Sequence, residues 1–136
     1  MDDYGHHPKE IEAVLAAAHA TLGRRLIVAF QPHRFTRTQL LLEQFGPALE
    51  GADELVLTDI YPAGEDPIPG VTLDALADAM RRTGRSVRLA RKLSDVVPAV
   101  MEIVRPGDAV ITLGAGSIGT VPPKLLEALG RRGSHN

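Results

Sequence analysis

Segments with helical spacing of apolar residues alternate with short apolar runs along the chain. Apolar residues three or four positions apart predict a helix over residues 8 to 22, entered through Pro8. A second helix carries Leu41, Leu42, Phe45 and Leu49 and stops at Gly51, and a third follows Thr72 as its N-cap and stops at Gly84. A fourth is capped by Ser94, and a fifth runs from about Val121 to Leu129. The pattern therefore predicts five helices.

Four short apolar runs separate these helices. They are "RLIVAF" (25–30), "DELVLTDIY" (53–61), "SVRLA" (86–90) and "AVITL" (109–113). Continuous apolar runs are typical of strands buried on both faces, and their alternation with helices favours a parallel sheet. The sequence thus predicts an α/β fold, with a mostly parallel sheet and helices on both faces.

Composition narrows the classes of protein that the chain can represent. Its 136 residues suit one domain, 44% of them are hydrophobic and the net charge is -2, which gives no general attraction to nucleic acid or anionic membranes. No apolar run approaches the roughly 20 residues that span a bilayer. The start, "MDDYGHHPKE", lacks the order of a signal peptide, so a cytoplasmic location is expected. Without cysteine, disulfides and thiolate chemistry are excluded.

Ligands of parallel sheets bind beyond the carboxyl ends of the strands. Three polar segments follow strands and should meet at that edge: "QPHRFTR", "YPAGE" and "GAGSIG". The first places His33, Arg34 and Arg37 at the start of the second helix, where the partial charge is already positive. If that helix has begun by Arg34, both guanidinium groups share a face and can converge on a carboxylate or phosphate. The alternative is a set of surface cations paired with Glu10, Glu12 or Glu43.

The glycine-rich segment matches G-x-G-x-x-G through Gly114, Gly116 and Gly119. A dinucleotide-binding fingerprint would open a βαβ unit with an acidic residue about 20 positions later, after a further strand. Only 17 residues follow Gly119, so we interpret the segment as a tight turn whose backbone N–H groups help to hold a polar ligand. None of the three lysines follows a glycine, so the chain has no P-loop.

Taken in order, "DDYGHHPKEI", "FQPHRFTRT", "YPAGE" and "TLGAGSIG" resemble the C-terminal domain of the Mur ligases, in the branch that uses L-alanine. The resemblance runs from Asp2 to about Leu129 and implies a single Rossmann-like domain over residues 1–130, with a disordered tail over 131–136. It implies that the N-terminal and central domains of a larger ligase are the partners of this chain, which alone should be inactive.

The resemblance also implies a reaction. ATP would phosphorylate the carboxylate of UDP-N-acetylmuramate, and L-alanine would attack the acyl phosphate to form an amide in peptidoglycan biosynthesis. ATP and Mg would be held mainly by the absent central domain. The resemblance implies that Asp3 contacts the ribose of ATP and that His6 takes part in catalysis. It implies substrate binding by Tyr4, His33, Arg34 and Arg37. Four residues would line the nucleotide site: Gly114, Ala115, Gly116 and Ser117. No metal ligand is implied.

Three rival hypotheses remain at this point. The domain could belong to the related ligase that recycles murein tripeptide, although "FQPHRFTRT" is not expected there. It could be a stand-alone Rossmann-like module that binds a nucleotide or an acidic metabolite. A dehydrogenase fragment is disfavoured by the position of the glycine-rich turn.

Overall fold

The computed structural model describes residues 8–82, 87–114 and 117–133. The helices are α1 (Pro8–Leu22), α2 (Phe35–Ala48), α3 (Leu73–Arg81), α4 (Val96–Ile103) and α5 (Val121–Gly133). The strands are β1 (Leu26–Phe30), β2 (Glu54–Thr58), β3 (Val87–Ala90) and β4 (Ala109–Leu113). Short 3-10 helices, Leu93–Asp95 and Ser117–Thr120, precede α4 and α5. No described helix is long and apolar enough to cross a membrane.

The strands form one sheet in the order β3-β2-β1-β4, with every pair parallel. In register, Val28 lies opposite Leu55 of β2 on one side and Ile111 of β4 on the other. The central position of β1 explains why all five of its residues are buried. Because the chain leaves β1 for β2 on one side and β4 returns on the other, the topological switch point lies between β1 and β4.

Both faces of the sheet are covered, as predicted. Side chains of α1, α2 and α3 pack with one face in a first core cluster that includes Ile11, Phe45, Leu76 and Met80. The second cluster joins the other face to α4 and α5, through residues such as Val100 and Leu125. Phe30 and Phe45 contact each other at a ring-centroid distance of 5.2 Å. Alternate residues of β1 pack into the two clusters, because successive side chains of a strand point to opposite faces of the sheet.

The amino ends of the strands are tied together by Arg25. Its guanidinium Nε and Nη2 donate to the two carboxylate oxygens of Asp108 at 3.1 and 2.7 Å, and Nη2 also donates to the carbonyl of Ile103 at 2.8 Å. Glu54 lies 3.6 Å away at the start of β2. This charged cluster anchors the edge of the sheet opposite to the one where ligands are expected.

Two local expectations need correction. Ser94 does not cap α4, because it lies within a 3-10 turn that precedes the helix. In that turn, the Asp95 carboxylate accepts from the Lys92 backbone N–H at 3.2 Å. Asp95 occupies the N-cap position of α4. Helix α5 continues to Gly133, past Leu129. By contrast, Thr72 caps α3 as predicted, since its hydroxyl accepts from the Ala75 N–H at 3.1 Å.

Candidate functional site

The predicted ligand edge carries a bridge between the segments that follow β1 and β2. Beyond the strand ends, Tyr61 N–H donates to the Pro32 carbonyl and Arg34 N–H donates to the Tyr61 carbonyl, each at 2.8 Å. The rings of His33 and Tyr61 stack with their centroids 5.6 Å apart and their planes 14° from parallel. The structure therefore brings "QPHRFTR" and "YPAGE" together, with His33 and Arg34 at the junction.

Arg34 does not belong to α2, which corrects the assumption that it shares a helical face with Arg37. The helix begins at Phe35, and Arg34 is its N-cap with φ 69° and ψ 142°. This left-handed conformation is strained for a residue with a Cβ atom. It is held on both sides, because the Arg34 N–H donates to the Tyr61 carbonyl at 2.8 Å and the Arg34 carbonyl accepts from the N–H and the hydroxyl of Thr38 at 3.1 and 2.7 Å. Thr38 is 0% exposed, so the first turn is firmly seated.

The two arginines lack carboxylate partners in the part of the chain that the structure describes. No salt bridge within 4.0 Å joins Arg34 or Arg37 to an acidic side chain there. The alternative of pairing with Glu10, Glu12 or Glu43 is therefore wrong for the described residues. Arg34 is exposed and Arg37 is half-buried, so their charges remain available to an anion.

The anion expected at the start of α2 is partly supplied by the protein itself. The carboxylate of Glu65, from the loop after β2, accepts from the Thr36 backbone N–H at 3.1 Å and from the Thr36 hydroxyl at 2.7 Å. These two donors are the main reason why the pKa of Glu65 lies below its ordinary value, and the Phe35 backbone and the charge of Arg34 add to the effect. Glu65, which lies in a distant part of the chain, thus caps the N-terminus of α2.

The glycine-rich turn is fastened to β1 by Gln31. Gln31 is 4% exposed, and its side-chain Oε1 accepts from the Ile118 N–H at 2.9 Å. Its backbone N–H donates to the Leu113 carbonyl at 3.0 Å. Gly114 has φ +146°, and a Cβ atom there would lie 2.9 Å from the Gln31 carbonyl oxygen. Because Gly114 and Ile118 follow β4 at the topological switch point, their backbone borders the crevice where ligands of such sheets bind.

The structure does not test the roles predicted for several site residues. Asp3, Tyr4, His6, Ala115 and Gly116 lie outside the described residues, and for Ser117 only the backbone is described. Their roles therefore stay predictions. Among residues 8–82, 87–114 and 117–133, no three acidic or histidine side chains gather as a metal site.

Two residues of the site were missed from the sequence. Gln31 is a polar residue directly after an apolar strand, and Glu65 ends a segment already placed at the ligand edge. Their positions were weak signals, because nothing local indicates that Gln31 meets Ile118 or that Glu65 meets Thr36. Both contacts depend on the order of the strands.

An apolar groove of about 570 Å³ borders the same edge, near the ends of β2 and β3. Phe35, Ile60 and Ile68 contribute to its walls. On its rim, Arg91 Nη2 donates to the Asp74 carboxylate at 2.6 Å, and this contact raises the pKa of Arg91 and lowers that of Asp74. The groove therefore adds apolar surface beside the polar bridge.

Known proteins are similar to this chain in sequence and in fold. Residues 1–116 match the family described as "Mur ligase, glutamate ligase domain". UDP-N-acetylmuramate--L-alanine ligase of Syntrophus aciditrophicus is 55% identical over 130 residues, which cover 95% of this chain and 27% of that protein. The ligase of the same name from Geotalea uraniireducens is 53% identical over 130 residues, with 95% and 28% covered. The chain thus spans little more than a quarter of the length of these relatives.

Solved structures agree with the sequence comparison. UDP-N-acetylmuramate-alanine ligase MurC from Thermotoga maritima superposes with a TM-score of 0.73 at 25% identity, over 96% of this chain and 26% of that one. A domain from a putative UDP-N-acetylmuramate:L-alanyl-gamma-D-glutamyl-meso-diaminopimelate ligase of Haemophilus ducreyi gives 0.69 at 20% identity, over 93% and 87%. This second likeness concerns the fold alone. The sequence match and the shared fold together show that the chain belongs to the Mur ligase family and represents its C-terminal, glutamate ligase domain.

Proposed function

We propose that the chain is the amino-acid-binding part of an ATP-dependent ligase that joins L-alanine to the carboxylate of UDP-N-acetylmuramate in peptidoglycan biosynthesis. The names and the 51–55% identity of relatives such as those from Syntrophus, Geotalea and Myxococcus support the reaction. The site observation that carries the amino-acid role is the pair Arg34 and Arg37, which lack an acidic partner among the described side chains at the ligand edge. A free carboxylate fits this pair.

In this proposal, His33, Arg34 and Arg37 hold the carboxylate of L-alanine and so orient its amine. The amine must be neutral to attack, while the carboxylate stays charged. Guanidinium groups suit the second requirement because they remain protonated and can donate two parallel hydrogen bonds. Most of the catalytic effect of these residues is therefore positioning. The strained backbone of Arg34, held by Thr38 and Tyr61, supports such a fixed geometry.

The other roles that the resemblance implies belong to the same proposal. ATP, with Mg held by a central domain, supplies the phosphoryl group that activates the muramoyl carboxylate. Asp3 contacts the ribose, Tyr4 and His6 lie near the reacting groups, and the turn of Gly114, Ala115, Gly116 and Ser117 borders the nucleotide. The N-terminal and central domains of the complete ligase are the partners, and the cytoplasm is the expected location. The domain limits of 1–130 and 131–136 stay predictions.

The test is a chimera in which this chain replaces the matching 27% of the Syntrophus aciditrophicus ligase. Phosphate release is measured with ATP, Mg, UDP-N-acetylmuramate and L-alanine, each omitted in turn. We expect release only with all four, and none from the isolated chain. Arg37→Ala should raise the KM for L-alanine and lower kcat/KM at least tenfold, about 1.4 kcal/mol, with rescue at high alanine. Arg24→Ala, at an exposed arginine away from the site, is the matched control.

Three outcomes would count against all or part of the proposal. Phosphate release that does not depend on alanine would favour the hypothesis of a stand-alone binding module. Release that requires the L-alanyl-γ-D-glutamyl-meso-diaminopimelate tripeptide instead of L-alanine would favour the recycling ligase, whose fold is shared. Unchanged alanine kinetics in Arg37→Ala would refute the carboxylate site alone.

A further inference from the structure

The start of α2 has two separate ways to attract an anion, and the structure shows one of them occupied. The backbone N–H of Thr36 and the Thr36 hydroxyl already donate to Glu65. The guanidinium groups of Arg34 and Arg37 form no salt bridge with a described acidic side chain, although the charge of Arg34 acts on Glu65 through space. An incoming anion therefore meets the arginine side chains while the Thr36 N–H at the helix terminus is already occupied.

We propose that Glu65 is a positioning and selectivity residue. As the resident anion of the first turn of α2, it directs an incoming carboxylate onto Arg34 and Arg37, and it disfavours the phosphate dianion. The inference rests on the proposed function only where it identifies the carboxylate as that of L-alanine.

Geometry places Glu65 for this role. The loop after β2 turns sharply at Ala63 and Gly64, with φ of 50° and 88°, and Glu65 N–H donates to the Pro62 carbonyl at 3.0 Å. The same loop carries Tyr61, whose carbonyl accepts from the Arg34 N–H at 2.8 Å. The loop thus holds α2 at two points, one on each side of Phe35. Displacement of Glu65 would free the helix terminus and loosen the support of Arg34.

Charge explains the selectivity. Glu65, Arg34 and Arg37 together carry one net positive charge when all are ionised, which matches one carboxylate. The lowered pKa of Glu65 keeps it ionised at neutral pH. Repulsion from Glu65 grows in proportion to the charge of the ligand, so a dianion is penalised more than a monoanion. Phosphate also prefers exposed backbone N–H groups at a helix terminus, and Glu65 occupies the Thr36 N–H.

The experiment compares the 136-residue chain with its Glu65→Gln variant by ¹H–¹⁵N NMR at pH 8, where inorganic phosphate is mostly the dianion, using inorganic phosphate and L-alanine as separate probes. A matched control is Asp66→Asn, which removes the same charge at the next position, where the residue is exposed and forms no hydrogen bond or ion pair with the described residues of α2. We expect Glu65→Gln to bind phosphate at least threefold more tightly and L-alanine at least threefold more weakly. Asp66→Asn should change either affinity less than twofold.

A second readout reports on Glu65 without any ligand. In the wild type and in Asp66→Asn, the Thr36 amide shift should titrate with a midpoint below the ordinary glutamate pKa, and Glu65→Gln should abolish that transition. Thr36→Val, which removes the hydroxyl donor but keeps the charge of Glu65, should raise the midpoint, and Thr36→Ser should restore it.

The outcomes separate this inference from the proposed function. Equal phosphate affinities in Glu65→Gln and Asp66→Asn, or a Thr36 titration that survives in Glu65→Gln, would overturn the role of Glu65. Absence of alanine binding in every variant, combined with the expected gain in phosphate affinity, would support Glu65 and contradict alanine as the ligand.

Discussion

The side chain of Gln31 accepts a hydrogen bond from the backbone N–H of Ile118, 87 positions later, at 2.9 Å. The contact joins the end of the central strand to the 3-10 turn that precedes α5, at the topological switch point of the sheet. It fixes the position of Ile118 relative to the segment that carries His33 and Arg34. One buried amide thus connects two of the three segments at the ligand edge.

Gln31→Leu should destabilise the chain by about 1 to 3 kcal/mol, because the Ile118 N–H loses its acceptor inside the protein. Hydrogen exchange of the Ile118 amide should accelerate more than exchange in β1, and the loss should be visible in urea unfolding. Gln44→Leu, at an exposed position of α2, should stay within about 0.5 kcal/mol of the wild type. Equal effects of the two substitutions would contradict the role given to Gln31.

Gly114→Ala should cost about 1 to 3 kcal/mol, since the residue has φ +146° and the new Cβ would approach the Gln31 carbonyl oxygen to 2.9 Å. That oxygen belongs to the backbone and cannot move away cheaply. Gly119→Ala provides the comparison, because a Cβ there meets nothing within 4 Å. Thermal unfolding of both variants measures the difference, and a Gly114→Ala protein as stable as Gly119→Ala would show that the turn adapts.

Arg34→Gly should be more stable than Arg34→Ala by about 1 to 2 kcal/mol. The φ of 69° is strained for alanine and free for glycine, and the gain is only partly offset by glycine's larger unfolded-state entropy. At Arg37, inside α2, the order should reverse by about 1 kcal/mol because glycine weakens a helix. Denaturant midpoints of the four variants decide this. If the order of stability of the glycine and alanine variants were the same at both positions, backbone strain at Arg34 would not explain the difference.

Asp108→Asn should lower stability at neutral pH by about 1.5 to 3 kcal/mol, the range for hydrogen bonds to charged groups. The Asp108 side chain is 5% exposed, and its pKa lies below the ordinary value chiefly because the Arg25 guanidinium donates to it. A depressed pKa means that the contribution is present above the unfolded-state pKa and is lost as the pH falls through the folded-state value.

The pH dependence is therefore the measurement for Asp108. The gap between wild type and Asp108→Asn should be constant near neutral pH and should narrow as acid protonates the carboxylate. Glu102→Gln breaks a pair with Arg88 whose side chains are 64% and 44% exposed, so it should change stability far less. A gap that does not narrow in acid would argue against the ion pair as its source.

Particular elements show how far sequence reasoning reached. The limits of α1 and β4 and the Thr72 cap are confirmed, because each depends on residues within a few positions of one another. The prediction for Ser94 is wrong because Asp95 competes for the same turn. The contact by which Glu65 caps α2 was not predicted, because Glu65 lies 29 positions from Thr36.

By itself, the sequence determined the element types, the parallel α/β fold, the family and the three segments that meet at the ligand edge. These features follow from short-range periodicity, turn residues and motif order, which are properties of neighbours along the chain. Only the tertiary structure decided that β1 lies between β2 and β4, that Glu65 caps α2, and that Arg34 precedes the helix in a strained conformation. Those outcomes depend on contacts between distant residues, whose free energies no local pattern encodes.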